Sequence, residues 1–392
     1  MSLPEIPGLL SAEDLRRTAD SIAEVQLPDG MIPWFTGGHA DPWNHVEAAM
    51  ALAVTGHLDE AEAAYGWLTG TQNDDGAWHA YYVAGGVEDP KFDANVIAYV
   101  ATGAWHHWLL TRDRGFLESL WPVVERALDY VLDLQAPRGE ILWARHPDGT
   151  PWPYALLTGS SSVCHSLRCG IAVAEELGHE RPDWELSLAH LAHVIRTRPA
   201  GAFAPKDRWA MDWYYPVLSG AVTGDEATRL LASQIDTFAL PDRGIRCVSD
   251  KDWTTAAETC ECAMAYLLVG DRPMAERLFD WAQTMRSPDG RYLTGIAYPQ
   301  GVSFPGDEHS TYSAAAVILA ADALSGSSPA SRLFVDHRGL PDIIDVGIKV
   351  GADVGIEVGI EVGIDVGIDF GGEVGIDVGI DFGGEVPVHE SD

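Results

Sequence analysis

Six times along the chain one pattern recurs: an amphipathic segment, a tight turn carrying Gly close to an aromatic residue, and a small-residue helix that opens with polar groups. A unit of that size cannot bury its own apolar face and must stack on its neighbours, so the period constrains the fold before any single motif does. The turns read Gln26-Leu-Pro-Asp29-Gly30 leading to Trp34, Gln72-Asn-Asp-Asp75-Gly76-Ala-Trp78, Gln135-Ala-Pro-Arg-Gly139 leading to Trp143, Pro199-Ala-Gly201-Ala-Phe203, Pro241-Asp-Arg-Gly244, and Pro288-Asp289-Gly290-Arg-Tyr292. Two helices per copy predict twelve.

The helices after the turns begin near Pro42, Asp93, Ser160, Ala210, Trp253 and Glu308, and most are rich in Ala, Cys, Ser and Gly on nearly every face. Helices that are apolar or small all round belong inside. Those before the turns, near residues 11–25, 58–72, 115–134, 182–198, 225–237 and 271–285, carry charge along one face and belong outside. Six buried helices ringed by six half-exposed ones make an all-α (α/α)6 toroid, with the turns at one end and the openings of the inner helices lining a mouth.

The toroid is expected over residues 1–335 and an acidic Val-Gly-Ile-Asp/Glu repeat over 342–392. Gly at every fourth position raises the cost of ordering that repeat and weakens any strand register, so a disordered tail is expected. The chain carries a net charge of −34; residues 342–392 hold thirteen acids and one Lys, which leaves −22 on the rest. Such a field repels phosphate backbones and anionic membranes, and no Lys/Arg stripe offsets it, so a neutral substrate is expected and nucleic acid and membranes are not. Five Cys with no Cys-x-x-Cys spacing predict reduced core thiols. The first residues lack a basic segment followed by an apolar one, and no apolar run approaches membrane-spanning length, which together predict a cytoplasmic protein.

Gln72-x-x-Asp75-Gly76-x-Trp78 resembles the repeat motif of squalene and terpene cyclases, in which Gln, an Asp-Gly turn and Trp lock outer helices together. Cyclases of that kind also need an Asp-x-Asp-Asp acid, and the Asp74-Asp75 pair here lies inside a turn. Glu258-Thr-Cys260 and His309-Ser-Thr-Tyr312 are similar to the zinc-binding segments of protein prenyltransferase β subunits. Residues two apart on a helix point away from each other, however, so no metal is expected, and no cofactor.

Over most of the toroid, with Gly38-His-Ala-Asp41-Pro-Trp-Asn-His45 at the first mouth segment and Glu258-Thr-Cys-Glu261 at the fifth, the chain resembles actinobacterial (α/α)6 glycosidases that include the mycobacterial methylmannose polysaccharide hydrolases. That resemblance implies an endo-acting hydrolase of an α-mannoside polysaccharide. A terpenoid cyclase or prenyltransferase-like enzyme and a glycan-binding toroid without catalysis are the alternatives.

Acids crowd the mouth. Counting back twelve residues from Gly56, Gly224 and Gly270 aligns Asn44, Asp212 and Glu258, and three residues deeper Glu47 and Glu261 share near-identical contexts. Asp41 before Pro42 reads as a helix N-cap, and Asp93 and Asp252 can cap as well. Capping does not account for Glu258, which is expected inside its helix. Glycoside hydrolysis needs one carboxyl to protonate the leaving oxygen and one carboxylate facing it. Glu258 in the apolar inner wall suits the acid and Asp41, expected in water at the rim, suits the base, with Glu261 and Asp212 as further catalytic candidates. Placed on non-adjacent inner helices, the pair is expected to be about 6.5 to 9.5 Å apart, the inverting arrangement.

Sugar rings stack on aromatic faces, and Trp34, Trp43, Trp78, Tyr81, Trp152, Trp209, Trp213, Tyr214 and Trp253 fall in the turn-to-helix connections or first helical turns. From these, Trp34, Trp43, Trp213, Tyr214 and Trp253 are expected to bind substrate, together with Asn44, His45, Asp93 and His309. Ser160-Ser-Ser-Val-Cys164-His165 reads as a helix opening, because adjacent helical positions do not face each other.

Overall fold

The computed structural model describes residues 3–344. The helices come in outer–inner pairs along the chain: α1 (Ala12–Ala23) and α2 (Pro42–Thr55); α3 (Leu58–Thr71) and the two-part inner rod α4 (Ala94–Ala98) and α5 (Val100–Thr111); α6 (Arg114–Leu132) and α7 (Leu157–Leu177). They continue with α8 (Pro182–Thr197) and α9 (Met211–Leu218), α10 (Gly224–Phe238) and α11 (Ala256–Leu268), and α12 (Arg272–Ala282) and α13 (Thr311–Ser325). Thirteen α-helices thus stand among the described residues where twelve rods were expected; the extra one is a division at Tyr99, whose backbone stays right-handed (φ −67°, ψ −18°).

The inner helices close a ring. α2 packs on α5, α5 on α7, α7 on α9, α9 on α11, α11 on α13, and α13 returns to α2. Their composition explains the ring: small residues on every face let six rods approach one axis, and in α2 and α13 nearly every residue is buried. The outer helices bury one stripe only, as α1 does with Leu15, Thr18, Ala19 and Ile22.

The Gln-Gly turns lock successive outer helices. Gln26 Nε2 donates to Gly30 O of its own turn (3.0 Å) and to Glu60 O (2.8 Å); Gln72 does the same to Gly76 O and Val123 O (both 2.9 Å), and Gln135 to Gly139 O and Ser187 O (both 2.9 Å). The second acceptor lies each time on the next outer helix. Gly30, Gly76 and Gly139 have φ of 98°, 95° and 122°, and a Cβ at any of them would run into the backbone carbonyl of that neighbouring helix.

The mouth is built of more than helix ends. Hairpin β1 (Tyr81–Val83) and β2 (Gly86–Asp89) pairs antiparallel, as do β3 (Phe92–Asp93) and β4 (Ala144–Arg145). A five-stranded antiparallel sheet runs in order β5 (Ala239–Leu240), β6 (Gly244–Arg246), β7 (Trp253–Thr255), β8 (Gly295–Ala297) and β9 (Val302–Ser303). The expected helix start at Trp253 is therefore corrected: Trp253 ends up in a strand because β6 and β8 pair with it on both sides. Asp252 likewise caps no helix and instead pairs with Arg246 (2.8 Å).

At the far end the chain after α13 closes the barrel. Phe334 stacks on His165 with ring centroids 5.0 Å apart, His337 Nε2 donates to Leu218 O (2.9 Å), and Arg168 Nε donates to Pro341 O (3.2 Å). The toroid's contacts thus run past the expected limit at 335. The acidic repeat, from residue 345 on, lies outside the described residues.

Candidate active site

Asp41 is the N-cap of α2, with Pro42 at the first helical position, where its missing N–H is no loss. Oδ1 accepts from the Asn44 backbone N–H (3.0 Å), and Oδ2 accepts from Asn44 Nδ2 and from the Trp34 indole Nε1 (both 2.7 Å). Expected in water at the rim, Asp41 is only 2% exposed. Burial pushes its carboxyl above the ordinary value, against the pull of the Asn44 N–H, the Trp34 indole and the Asn44 amide, all donors to the charged form. Asp93 repeats the device one helix on: it caps α4 and accepts from the Trp143 indole at 2.5 Å.

Glu258 is the third residue of α11, whose N-cap is Thr255 at the end of strand β7. Thr255 Oγ1 donates to Glu258 Oε2, so Glu258 belongs to the helix opening rather than to its interior as expected. The signal was present as Thr255-Ala-Ala-Glu258, the spacing of a capping box. Oε1 is buried and has no protein partner, and the residue is 3% exposed. Cys247 lies against it; burial first and then the charge of Glu258 push that thiol well above its ordinary value. Trp253, just before, meets the ring of Phe304 edge-on at 5.0 Å.

Between these two carboxyls in the ring stands α13, which packs on both α2 and α11. Its second residue, Tyr312, meets the Trp34 ring in a T-shaped arrangement at 5.0 Å and has a buried hydroxyl beside Ser310 and Thr294. Burial, then the charges of Glu308 and Glu258, push that hydroxyl well above its ordinary value, which places Tyr312 within electrostatic reach of both acids. Sequence reasoning counts Glu308 among the rim acids and meets Tyr312 only in the His309-to-Tyr312 segment, and gives neither a role in the site.

Three residues below Asn44 and Glu258, Glu47 and Glu261 occupy the barrel centre. Glu47 Oε1 accepts from Trp43 Nε1 (3.0 Å) and Tyr99 OH (3.1 Å), while Glu261 accepts from Tyr214 OH (2.5 Å) and Tyr215 OH (2.7 Å). Burial pushes Glu47 up to about 7 and Glu261 well above its ordinary value, each also raised by the other's or a nearby acid's charge. A cavity of about 20 Å³ beside them, bordered by Tyr99, Tyr215, His165 and Phe334, holds about one water. Trp43 and Tyr214, expected as sugar contacts, spend their polar atoms on these glutamates.

Asp212 lies in the first turn of α9 and its Oδ1 accepts from Thr158 N (3.1 Å) and Thr158 Oγ1 (2.5 Å); burial pushes its carboxyl up to about 6. The alignment through Gly224 does not hold, because Gly224 opens α10 and α9 ends at Leu218, interrupted by Pro216. Asp212 nonetheless keeps the first-turn position shared by Asn44 and Glu258. His45 and Trp213 need correcting as mouth residues. His45 turns to the outer layer, accepting from Ile32 N (3.0 Å) and bonding Ala64 O (2.9 Å), and burial holds it neutral with a pKa lowered to about 4. Trp213 stacks on Phe238 at 5.4 Å and donates to Leu230 O (2.9 Å). His309 is at the rim, bonded to Ser287 Oγ (2.7 Å) and Asp307 O (2.9 Å). Among the described residues no group of three or more His, Cys, Asp and Glu could hold a metal ion, and no helix is long and apolar enough to cross a membrane.

No protein-family profile matches the chain. An MMP endo-(1,4)-3-O-methyl-α-D-mannosidase from Mycolicibacterium hassiacum is 48% identical over 333 residues, which cover 85% of this chain and 92% of that protein. Among solved structures, a wild-type glycosidase superposes with a TM-score of 0.64 at 14% identity, covering 80% of this chain and 96% of that one. Cellobiose 2-epimerase from Bacillus thermoamylovorans gives 0.58 at 10% identity, covering 79% and 98%. At such identities these two report the toroid fold alone.

Proposed function

For a chain that belongs to the family of the MMP endo-(1,4)-3-O-methyl-α-D-mannosidase, we propose that it is a glycoside hydrolase cleaving internal α-(1,4) bonds of a 3-O-methylmannose polysaccharide with inversion, Asp41 serving as base and Glu258 as acid. The observation that carries the reading is the placement of these two carboxyls at the openings of α2 and α11, with α13 standing between the two helices.

In the single displacement proposed, Glu258 gives a proton to the glycosidic oxygen as its bond to the anomeric carbon breaks. A water attacks that carbon from the opposite face and passes a proton to Asp41. Glu258 Oε1 suits the first task because no N–H or hydroxyl of the protein is bonded to it, while Thr255 steadies the other oxygen. Asp41 suits the second because its three donors hold the carboxylate oriented and oppose, in part, the rise that burial imposes on it. The inverting reading requires the two carboxyls to stand about 6.5 to 9.5 Å apart, with the water between them. Asn44 acts here as a positioning residue for Asp41. A cytoplasmic location is part of the proposal, and five free, buried cysteines suit such a reducing compartment.

Incubating purified protein with the polymer tests the reading directly. Oligosaccharides of intermediate length released from the start, with the new reducing ends first appearing as the β-anomer by NMR, are expected. Monosaccharide release alone or an α-anomer at first appearance would overturn the endo or the inverting part respectively.

A further inference from the structure

Between the end of α1 and the opening of α13 lies a cavity of about 290 Å³, bounded by Ser21, Val25, Phe35, Arg291, Glu308 and His309. Its size is at the lower end of small-molecule sites and suits one ring rather than an extended segment. We propose that it is a subsite for one neutral, hydroxyl-bearing sugar unit of the substrate chain, with Glu308 as hydroxyl acceptor and Phe35 as the apolar wall; the proposal rests on the glycosidase reading.

Glu308 joins the cavity to the centre. Thr294 Oγ1 donates to its Oε1 at 2.7 Å, which fixes the carboxyl at the cavity wall. Burial raises its carboxyl above the ordinary value, with His39 pulling it down, and the same His39 acts on Asp41. Its charge also acts on Tyr312, as does that of Glu258. The cavity also meets the Asp41 surroundings directly: Thr311, which lines it, donates its backbone N–H to Trp34 O (2.7 Å), and the Trp34 indole holds Asp41. A half-buried carboxylate lining a cavity, with one oxygen held by Thr294, can accept from sugar hydroxyls and repels an anionic ligand. Phe35 is fixed over Gly38, where a Cβ would come within 2.7 Å of the ring. Both ring nitrogens of His309 are engaged by Ser287 and Asp307, which fixes that wall as well.

The test is calorimetric titration of the inactive Glu258→Gln protein with α-(1,4)-linked 3-O-methylmannose oligosaccharides of increasing length. Adding Phe35→Ala or Glu308→Gln should weaken the longer oligosaccharides about tenfold and leave the shortest one that binds unchanged. Equal affinity with and without the second substitution at every length, an equal loss at every length, or no binding at all would overturn the subsite. Hydrolysis by the wild-type protein is scored separately. Length-dependent loss in a protein that never cleaves the polymer would support the subsite and sink the hydrolase reading, whereas cleavage with no length-dependent loss would do the reverse.

Discussion

The Trp34 indole donates to Asp41 Oδ2 at 2.7 Å while the same ring meets Tyr312 in a T-shaped contact, 5.0 Å between centroids. One side chain thereby orients the proposed base and packs against the helix that separates it from the proposed acid. Trp34→Phe keeps most of the packing and removes the donor. The indole pulls the Asp41 carboxyl down, so without it the carboxyl rises further and the ionised base is reached only at higher pH. The acid limb of the kcat/KM profile is expected to move upward in pH, with kcat down about tenfold. An unmoved limb would mean that Trp34 does nothing for Asp41 beyond packing.

Asp41→Asn and Glu258→Gln separate the two roles. Asn is as good an N-cap as Asp, so α2 should survive the first change, and turnover should fall by about two to four orders of magnitude. Glu258→Gln should cost a similar factor on the polysaccharide but far less on an aryl mannoside whose leaving group needs no proton. Comparison of the two variants on both substrates, with circular dichroism to verify folding, checks the assignment. Equal losses on the aryl substrate would reverse or void it.

The toroid was legible because it is written in period and turn chemistry: Gln72, Gly76 and Trp78 state a local geometry that repeats, and inner helices made of small residues declare themselves buried. The family was legible in the segments around Asp41 and Glu258. The surroundings of those residues were not, since they depend on partners far away in sequence. Trp143 reaches Asp93 across 50 positions and Tyr214 reaches Glu261 across 47, and no spacing rule registers either contact. His45 misled because its helix is buried on every side, so the sequence could not say which face looks at the axis. Trp253 misled because strand pairing with β6 and β8 overrode the helical pattern that follows it.

The turn lock should be measurable as stability. Gln72→Ala leaves the carbonyls of Gly76 and Val123 without their partner, each a loss of about 1 kcal/mol. Gly76→Ala adds a side chain at φ 95° against the Arg126 carbonyl, and should cost more, about 2 to 4 kcal/mol. Gly85, also at positive φ but with open space around it, is the control and should lose about 1 kcal/mol when changed to Ala. Urea unfolding of the three variants gives the order; Gly85→Ala as damaging as Gly76→Ala would contradict the packing account.

Glu47 and Glu261 set a pH dependence of stability. Glu47 is raised from 4.5 to about 7 in the folded protein, first by burial, and it is bordered by Trp43, Tyr99, Tyr215, Asp41 and Glu261. The folded state therefore binds more protons at this site than the unfolded chain between those two values, and stability contributed by the protonated form is lost as pH rises from about 4.5 through about 7. Glu261 is raised in the same direction and adds to the loss at higher pH. Glu47→Gln keeps a carbonyl oxygen for the Trp43 and Tyr99 donors and removes the charge. The variant should match the wild type near pH 4.5 and exceed it by about 1 kcal/mol or more at pH 8, read from urea midpoints across that range. A variant that is less stable at pH 8 would mean that the glutamate is ionised and paired in the folded core, which the two facing carboxyls argue against.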